Sequence, residues 1–250
     1  MEEAMKYGQE NFSLPHDVVK LPTGGIFYKS KKKSVKVGYL TAADENIIMA
    51  GTSIKEGVIL SLLRNKIYEP ELRPEELLDG DLQAILIFLR NTAFGPEYTF
   101  NLIDPGTDKE FSHTILLDEL NFKKTKVQPN EEGYFETTLP KSGLNVKLKP
   151  ISFGESEEIE RTLQSYYAGR VLPRQTYKLS RMIIEINGNN EKGFIQQTIE
   201  SLPIADSKYI RNFMNENEPG LDLTRTIIAP SGREVSLQVS FGVDFFRPFF

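Results

Sequence analysis

Cysteine and tryptophan are absent from this chain, and histidine occurs only twice, at His16 and His113. Without cysteine there is no disulfide framework, no thiol nucleophile and no thiolate metal site. A tetrahedral site would need several nitrogen or sulfur ligands at close spacing. His16 lies in a weakly periodic N-terminal stretch, and His113 sits in a predicted strand with only Asp118 and Glu119 nearby in sequence. No metal and no cofactor is therefore expected. No apolar run approaches the roughly 18 residues of a membrane span, and the opening MEEAMKYGQE is acidic and polar, so neither a span nor a secretory signal is expected. Nucleophile elbow and P-loop motifs are also missing, and no catalytic residue is proposed. Positive charge is not in excess either. The net charge of −5 argues against nucleic acid or an acidic membrane surface as the main partner.

What remains is an ordinary folded composition, 39% apolar and 26% charged, in 250 residues, enough for one large domain or two small ones. The most informative stretch is Asp81–Pro105, because a shift of 125 residues lays it without a gap on Asp206–Pro230. Asp81 meets Asp206, Ile85 meets Ile210, Phe88 meets Phe213, Gly95 meets Gly220 and Pro105 meets Pro230. Each aspartate is a good helix N-cap, and each glycine suits the helix end. Period-two alternation around a Pro/Gly turn then predicts a hairpin after each helix.

Upstream, Leu139–Gly143 echoes Leu21–Gly25 and Val146–Glu155 echoes Val35–Asp44, with capping-box spacing at Thr41…Asp44 and Ser152…Glu155. Ile26–Tyr28 and Val35–Leu40 are expected to form two strands around a basic loop, and Gly57–Ile67 a helix. The second copy carries extra residues around Tyr166–Asn190. The expectation is an α+β fold of two related units, each an N-terminal β-hairpin, helices, and a helix followed by a β-hairpin. The divisions are an arm over 1–19, units over 20–122 and 134–250, and a polar linker over 123–133. The Asp81 helix, with Ile85–Leu89 apolar around most of its circumference, should be the most buried element, and Ile85 and Phe88 should be core residues.

Few residues invite chemistry. Glu155, Glu157, Glu158 and Glu160 fall at the start of a predicted helix, where negative charge suits the dipole better than it suits a catalytic pair. Lys29, Lys31, Lys32 and Lys33 read as a solvated hairpin tip with no aromatic platform beside them. The C-terminus stands apart: Phe245, Phe246, Arg247, Pro248, Phe249 and Phe250 crowd aromatic rings and an arginine together, as interface anchors do. These six are the candidate partner-binding residues. The competing reading is that the rings close the second unit's own core.

The order LPTGGIFY, YLTAADENII, LLDGDLQAILIFLRNTAFGPEYTF, LPIADSKYIRNFMNENEPGLDLTRTIIAPSGREVSL and VDFFRP, from Leu21 to Pro248, resembles the baseplate hub protein family of T4-like contractile-tailed bacteriophages. The family tends to end in Phe-Phe-Trp-Pro where this chain has Phe-Phe-Arg-Pro. Relatives often place cysteines around the hairpin turns. Here those turns are Ile103–Gly106 and Ala229–Gly232, so a relative's metal is not carried over. The resemblance implies a non-enzymatic tail protein, assembled in the host cytoplasm into the baseplate hub of the virion tail. It would work by contact with other hub, tail-tube or tape-measure proteins, and a homo-oligomer stays open. A transient assembly chaperone that leaves the virion is the alternative, and a carboxylate-based tail-tip hydrolase is a second one from another class.

Overall fold

The computed structural model describes residues 15–50, 56–166, 171–241 and 243–246. The first half runs β1 (His16–Lys20), β2 (Ser34–Gly38), α1 (Ala42–Ala50), α2 (Glu56–Lys66), α3 (Asp79–Phe94), β3 (Glu97–Ile103) and β4 (Glu110–Leu116). The second runs β5 (Phe135–Thr138), β6 (Asn145–Leu148), α4 (Phe153–Tyr166), α5 (Arg174–Met182) and β7 (Ile183–Ile186). It continues through α6 (Lys192–Glu200), α7 (Ile204–Asn217), β8 (Thr224–Ile228) and β9 (Glu234–Gln238). Among the described residues every named sheet is small and antiparallel. β1–β2, β3–β4 and β8–β9 are two-stranded, and β7 adds a third strand to β5–β6. This is an α+β fold, with hairpins segregated from helices rather than alternating with them in a parallel sheet. The extra residues of the second half become the end of α4, α5 and β7.

The first strand is not where alternation placed it. His16–Lys20, all but its last residue assigned to the arm, pairs with Ser34–Gly38, while Ile26–Tyr28 lies in a run of turns. The physical reason is Tyr28, which turns inward so that its hydroxyl donates to Asp81 and accepts from the Leu78 N–H at 3.0 Å. An extended strand would alternate the Ile26–Tyr28 side chains across two faces and could not wrap this turn around one carboxylate.

The two aspartates also act differently from N-caps. Leu78 and Pro203 hold the cap positions, and Asp81 and Asp206 are each the third residue of their helix. Both are fully buried and reach back to the turn of the preceding hairpin. Asp81 accepts from the Thr23 N–H at 3.0 Å and the Thr23 hydroxyl at 2.6 Å. Asp206 accepts from the N–H groups of Lys141 and Ser142, each at 2.8 Å. The same position in each half therefore ties helix to hairpin. Both expected capping pairs meet, but only Ser152 and Glu155 close a box in reciprocal bonds. At the other, the Asp44 carboxylate accepts from the Thr41 N–H and hydroxyl, and the Asp44 N–H goes to Thr41 O instead of the hydroxyl.

The first core gathers Val35, Val37, Leu63, Leu77, Ile85 and Leu89 with Val239, Phe245 and Phe246 from the far end of the chain. The second gathers Phe135, Leu148, Ile183, Ile195, Ile210 and Met214. Phe27 touches both, its ring 5.9 Å from that of Phe135. Ile85 is fully buried as expected, but Phe88 is only half-buried, leaning on Tyr39 at 6.0 Å between centroids. α3 thus has one partly open stripe.

The halves are joined along a seam. Phe153 N–H donates to Leu77 O at 2.8 Å, and Lys123 N–H and Asp222 N–H donate to Gly220 O and Asn121 O at 2.8 Å each. Asn217 Oδ1 accepts from the N–H groups of Lys126 and Val127. The polar segment after Asn121 is accordingly zipped onto the end of α7.

Candidate interaction site

Gly95 closes α3 with φ at +85°, a conformation that costs glycine little. The reversal brings the carbonyls of Gly95 and Glu97 back over Arg90, in the last turns of the same helix. Arg90 Nη1 donates to Gly95 O at 2.7 Å, Nη2 to Glu97 O at 2.8 Å, and Nε to Phe245 O at 3.1 Å. Its guanidinium lies 5.1 Å from the Tyr98 ring centroid and 5.7 Å from that of Phe245. Burial pulls its pKa below the usual guanidinium range, opposed by Tyr98 and Glu97. A planar fork of five donors suits this task, since three carbonyls in different directions are satisfied at once.

Phe245 itself is fully buried among Tyr98, Phe241 and Phe246, with centroids at 5.6, 4.8 and 5.1 Å. Of the six candidate partner-binding residues, Phe245 and Phe246 are therefore inside this chain's own core. That core belongs to the first half, not the second. Arg247, Pro248, Phe249 and Phe250 lie outside the described residues. Sequence reading missed Arg90 altogether. A lone arginine in an apolar helix, five residues before a helix-ending glycine, was the available signal.

Apolar surface is exposed elsewhere. Ile103 and Ile228, equivalent under the 125-residue shift, each end the first strand of a hairpin and are each 63% exposed. The two hairpin tips touch. Asp104 accepts from the N–H and hydroxyl of Ser231, and Arg233 Nη1 donates to Pro105 O at 2.7 Å. Near the inserted segment, Val171 is 93% and Tyr166 77% exposed.

The charged candidates resolve into ordinary pairs. Glu155 meets Lys149, Glu158 meets Arg181 and Glu160 meets Arg174. Lys32 bridges Glu69 and Glu71, while Lys31 Nζ donates to the carbonyls of Ile26 and Glu131. His113 is half-buried on β4. A cleft of about 810 Å3 is lined by Phe27 and Arg73 of the first half and by Tyr134, Lys149 and Arg161 of the second. Its acids are matched by neighbouring cations such as Arg64 on Glu75 and Arg73 on Glu76. Among the described residues no group of three or more His, Asp or Glu side chains is placed to hold a metal ion, and no helix is long and apolar enough to cross a membrane.

Compared with known proteins, the chain matches no protein-family model, no curated protein and no solved structure.

Proposed function

We propose that this chain is a non-enzymatic assembly protein of a contractile phage tail, a component of the baseplate hub that works by protein–protein contact. The observation carrying the reading is the resemblance of five separated segments to that hub family, together with where they lie. Of these segments, the Leu21–Tyr28 turn, the residues that follow α7 and the Val243–Phe246 turn each meet α3. Asp81 binds Thr23 and Tyr28, Gly80 abuts Pro219 and Gly220, and Arg90 holds Phe245. Segments so far apart in sequence form one connected scaffold, as a shared structural role requires.

The two halves are, in this reading, copies of one unit. The aspartate at the third helical position, the hairpin turn it holds and the capping pair recur in each. The contact surface falls on the exposed Ile103 and Ile228 and on the residues after Phe246. Exposed apolar side chains that recur at equivalent places are suited to binding partners.

Mass spectrometry of purified virions tests the role. A stoichiometric copy number is expected for a resident hub component, and its absence from virions that need it for assembly moves the reading to the transient chaperone. A double variant Ile103→Lys with Ile228→Lys should keep its melting temperature and fail to support baseplates. Normal assembly by that variant would remove these residues from the contact surface.

A further inference from the structure

The cleft of about 810 Å3 carries more positive charge than its own acids neutralise. Four of the acids that line it are already paired: Glu75 with Arg64, Glu76 with Arg73, Glu155 with Lys149 and Glu158 with Arg181. Arg64 and Arg181 reach these acids from outside the lining, which leaves cations within it unmatched. Among the described residues no carboxylate pairs with Lys29, Lys31 or Arg161, and Glu132 is the one acid of the lining without an ion pair. Three cations thus stand against one acid, in a chain whose net charge is −5. A cleft with such a local surplus concentrates partners of the opposite sign.

Lys31 is set in place before any ligand arrives. Its backbone sits at φ +52°, uncommon for a residue other than glycine, and its Nζ donates to Ile26 O at 2.7 Å and Glu131 O at 3.1 Å. A charge held this way loses little freedom on binding. Lys29 and Arg161 are exposed, with side chains that make no hydrogen bond among the described residues. The walls are fixed through backbone atoms. A Cβ on Gly133 would stand 2.9 Å from Ile26 O, and one on Gly154 the same distance from Glu75 O.

The lining is not cationic alone. Phe27 and Tyr134 contribute half-buried rings. A small inorganic anion would use the cations and leave these rings uncovered. The volume lies within the roughly 300–1,000 Å3 of sites that enclose larger ligands. We propose that this cleft docks an acidic peptide segment of a partner protein, its carboxylates on Lys29, Lys31 and Arg161 and an aromatic side chain against Phe27 and Tyr134. The site shares no residue with the contact surface at Ile103 and Ile228, and it does not depend on the phage-tail reading.

The test is fluorescence anisotropy of the full chain with a labelled peptide in which pairs of glutamates alternate with single phenylalanines. The peptide should bind, and salt should weaken it, because the cations are exposed to screening. Lys29→Glu and Arg161→Glu should each weaken binding about tenfold, with the parent's melting temperature kept, since neither side chain holds the fold. Peptides with glutamine for glutamate, or alanine for phenylalanine, should each bind the parent about tenfold more weakly, and these arms need no variant. No binding at millimolar peptide, equal binding by folded charge-reversal variants, or equal binding of the glutamine peptide overturns the proposal. So does pyrophosphate displacing the peptide at equal concentration, which would make the cleft a simple anion site. Sedimentation showing that the reversals dissociate an oligomer, with peptide binding intact, would assign the cleft to a second copy and overturn it too.

Discussion

Asp104, on the turn of the β3–β4 hairpin, accepts from both the N–H and the hydroxyl of Ser231, on the turn of the β8–β9 hairpin 127 residues later. Gly106 N–H adds a third donor at 2.8 Å. One side chain thereby holds its own turn and its neighbour's. Packing leaves no slack, since a Cβ on Gly106 would stand 2.5 Å from the Ser231 side chain.

This clasp should open in acid. The Ser231 hydroxyl holds the Asp104 carboxyl below its ordinary value of 3.8, aided by the N–H groups of Gly106 and Ser231 against a smaller effect of burial. A depressed carboxyl contributes above its unfolded value and loses that contribution as pH falls through the folded one. Protection of the Gly106 and Ser231 amides, taken relative to intrinsic exchange at the same pH, should therefore fall on acidification in the parent. In Asp104→Asn it should be low at every pH, with little change in global melting temperature. Unchanged protection in the variant would show that the tips are held by something else.

Lys66 and Asp44 form an ion pair in the first core, each only 4% exposed, with Thr41 donating twice more to the aspartate. Lys66→Ala leaves Asp44 buried beside a vacancy and should cost about 3–5 kcal/mol. Replacing both partners with apolar residues of similar volume should cost much less, because no uncompensated charge remains. Denaturant unfolding of the single and double variants checks this. Equal losses would mean that the pair is worth more than its desolvation penalty.

Gly80→Ala reverses the usual helix preference. At an open helical position alanine would gain about 1 kcal/mol over glycine. Here the new methyl would lie 2.4 Å from Pro219 O and 2.5 Å from the Gly220 Cα, backbone atoms that cannot swing away. Overpacking of this kind costs about 1–3 kcal/mol. Gly220→Ala meets only the Gly80 Cα at 3.4 Å and should be milder. Thermal unfolding of the two variants decides; a stabilised Gly80→Ala would mean that the seam yields easily.

The elements most legible in the sequence were those whose signal is local. The 3.6-residue period of α3 and α7, the alternation of β3–β4 and β8–β9, and both capping pairs depend on neighbours a few residues apart. The failures share the opposite cause. Tyr28 is drawn out of a strand by a carboxylate 53 residues away, and Asp81 gives up the cap position to reach it. Gly220 matched a helix-ending glycine in the sequence, yet α7 stops at Asn217 and the glycine serves the contact with Gly80. Phe88 looked like core because α3 is apolar nearly all round, and periodicity cannot say which stripe a second element will cover. Arg90 has two partners five and seven residues on, a signal that was passed over, but its hold on Phe245 spans 155 residues and that of Asp104 on Ser231 spans 127, distances that no local pattern reaches.

The C-terminal segment supplies the last prediction. Aromatic residues at a chain end suggested a docking peptide, but two of the rings have an intramolecular place. Phe245 is fully buried and packed, tilted or edge-on, against three other rings, and its carbonyl accepts from Arg90. Phe245→Ala should cost about 3–5 kcal/mol, the usual range for an aromatic removed from a core. Arg90→Ala strands three carbonyls and should cost a comparable amount, and the two losses should not add, because the side chains share one contact. A chain ending at Asp244 should lose melting temperature by the same mechanism. A chain ending at Phe246 keeps both buried rings and removes only Arg247–Phe250. Under the attachment reading it should melt like the parent and still fail to join a baseplate. If that shorter chain assembles normally, attachment does not depend on those four residues. If it melts far below the parent, they too belong to the fold.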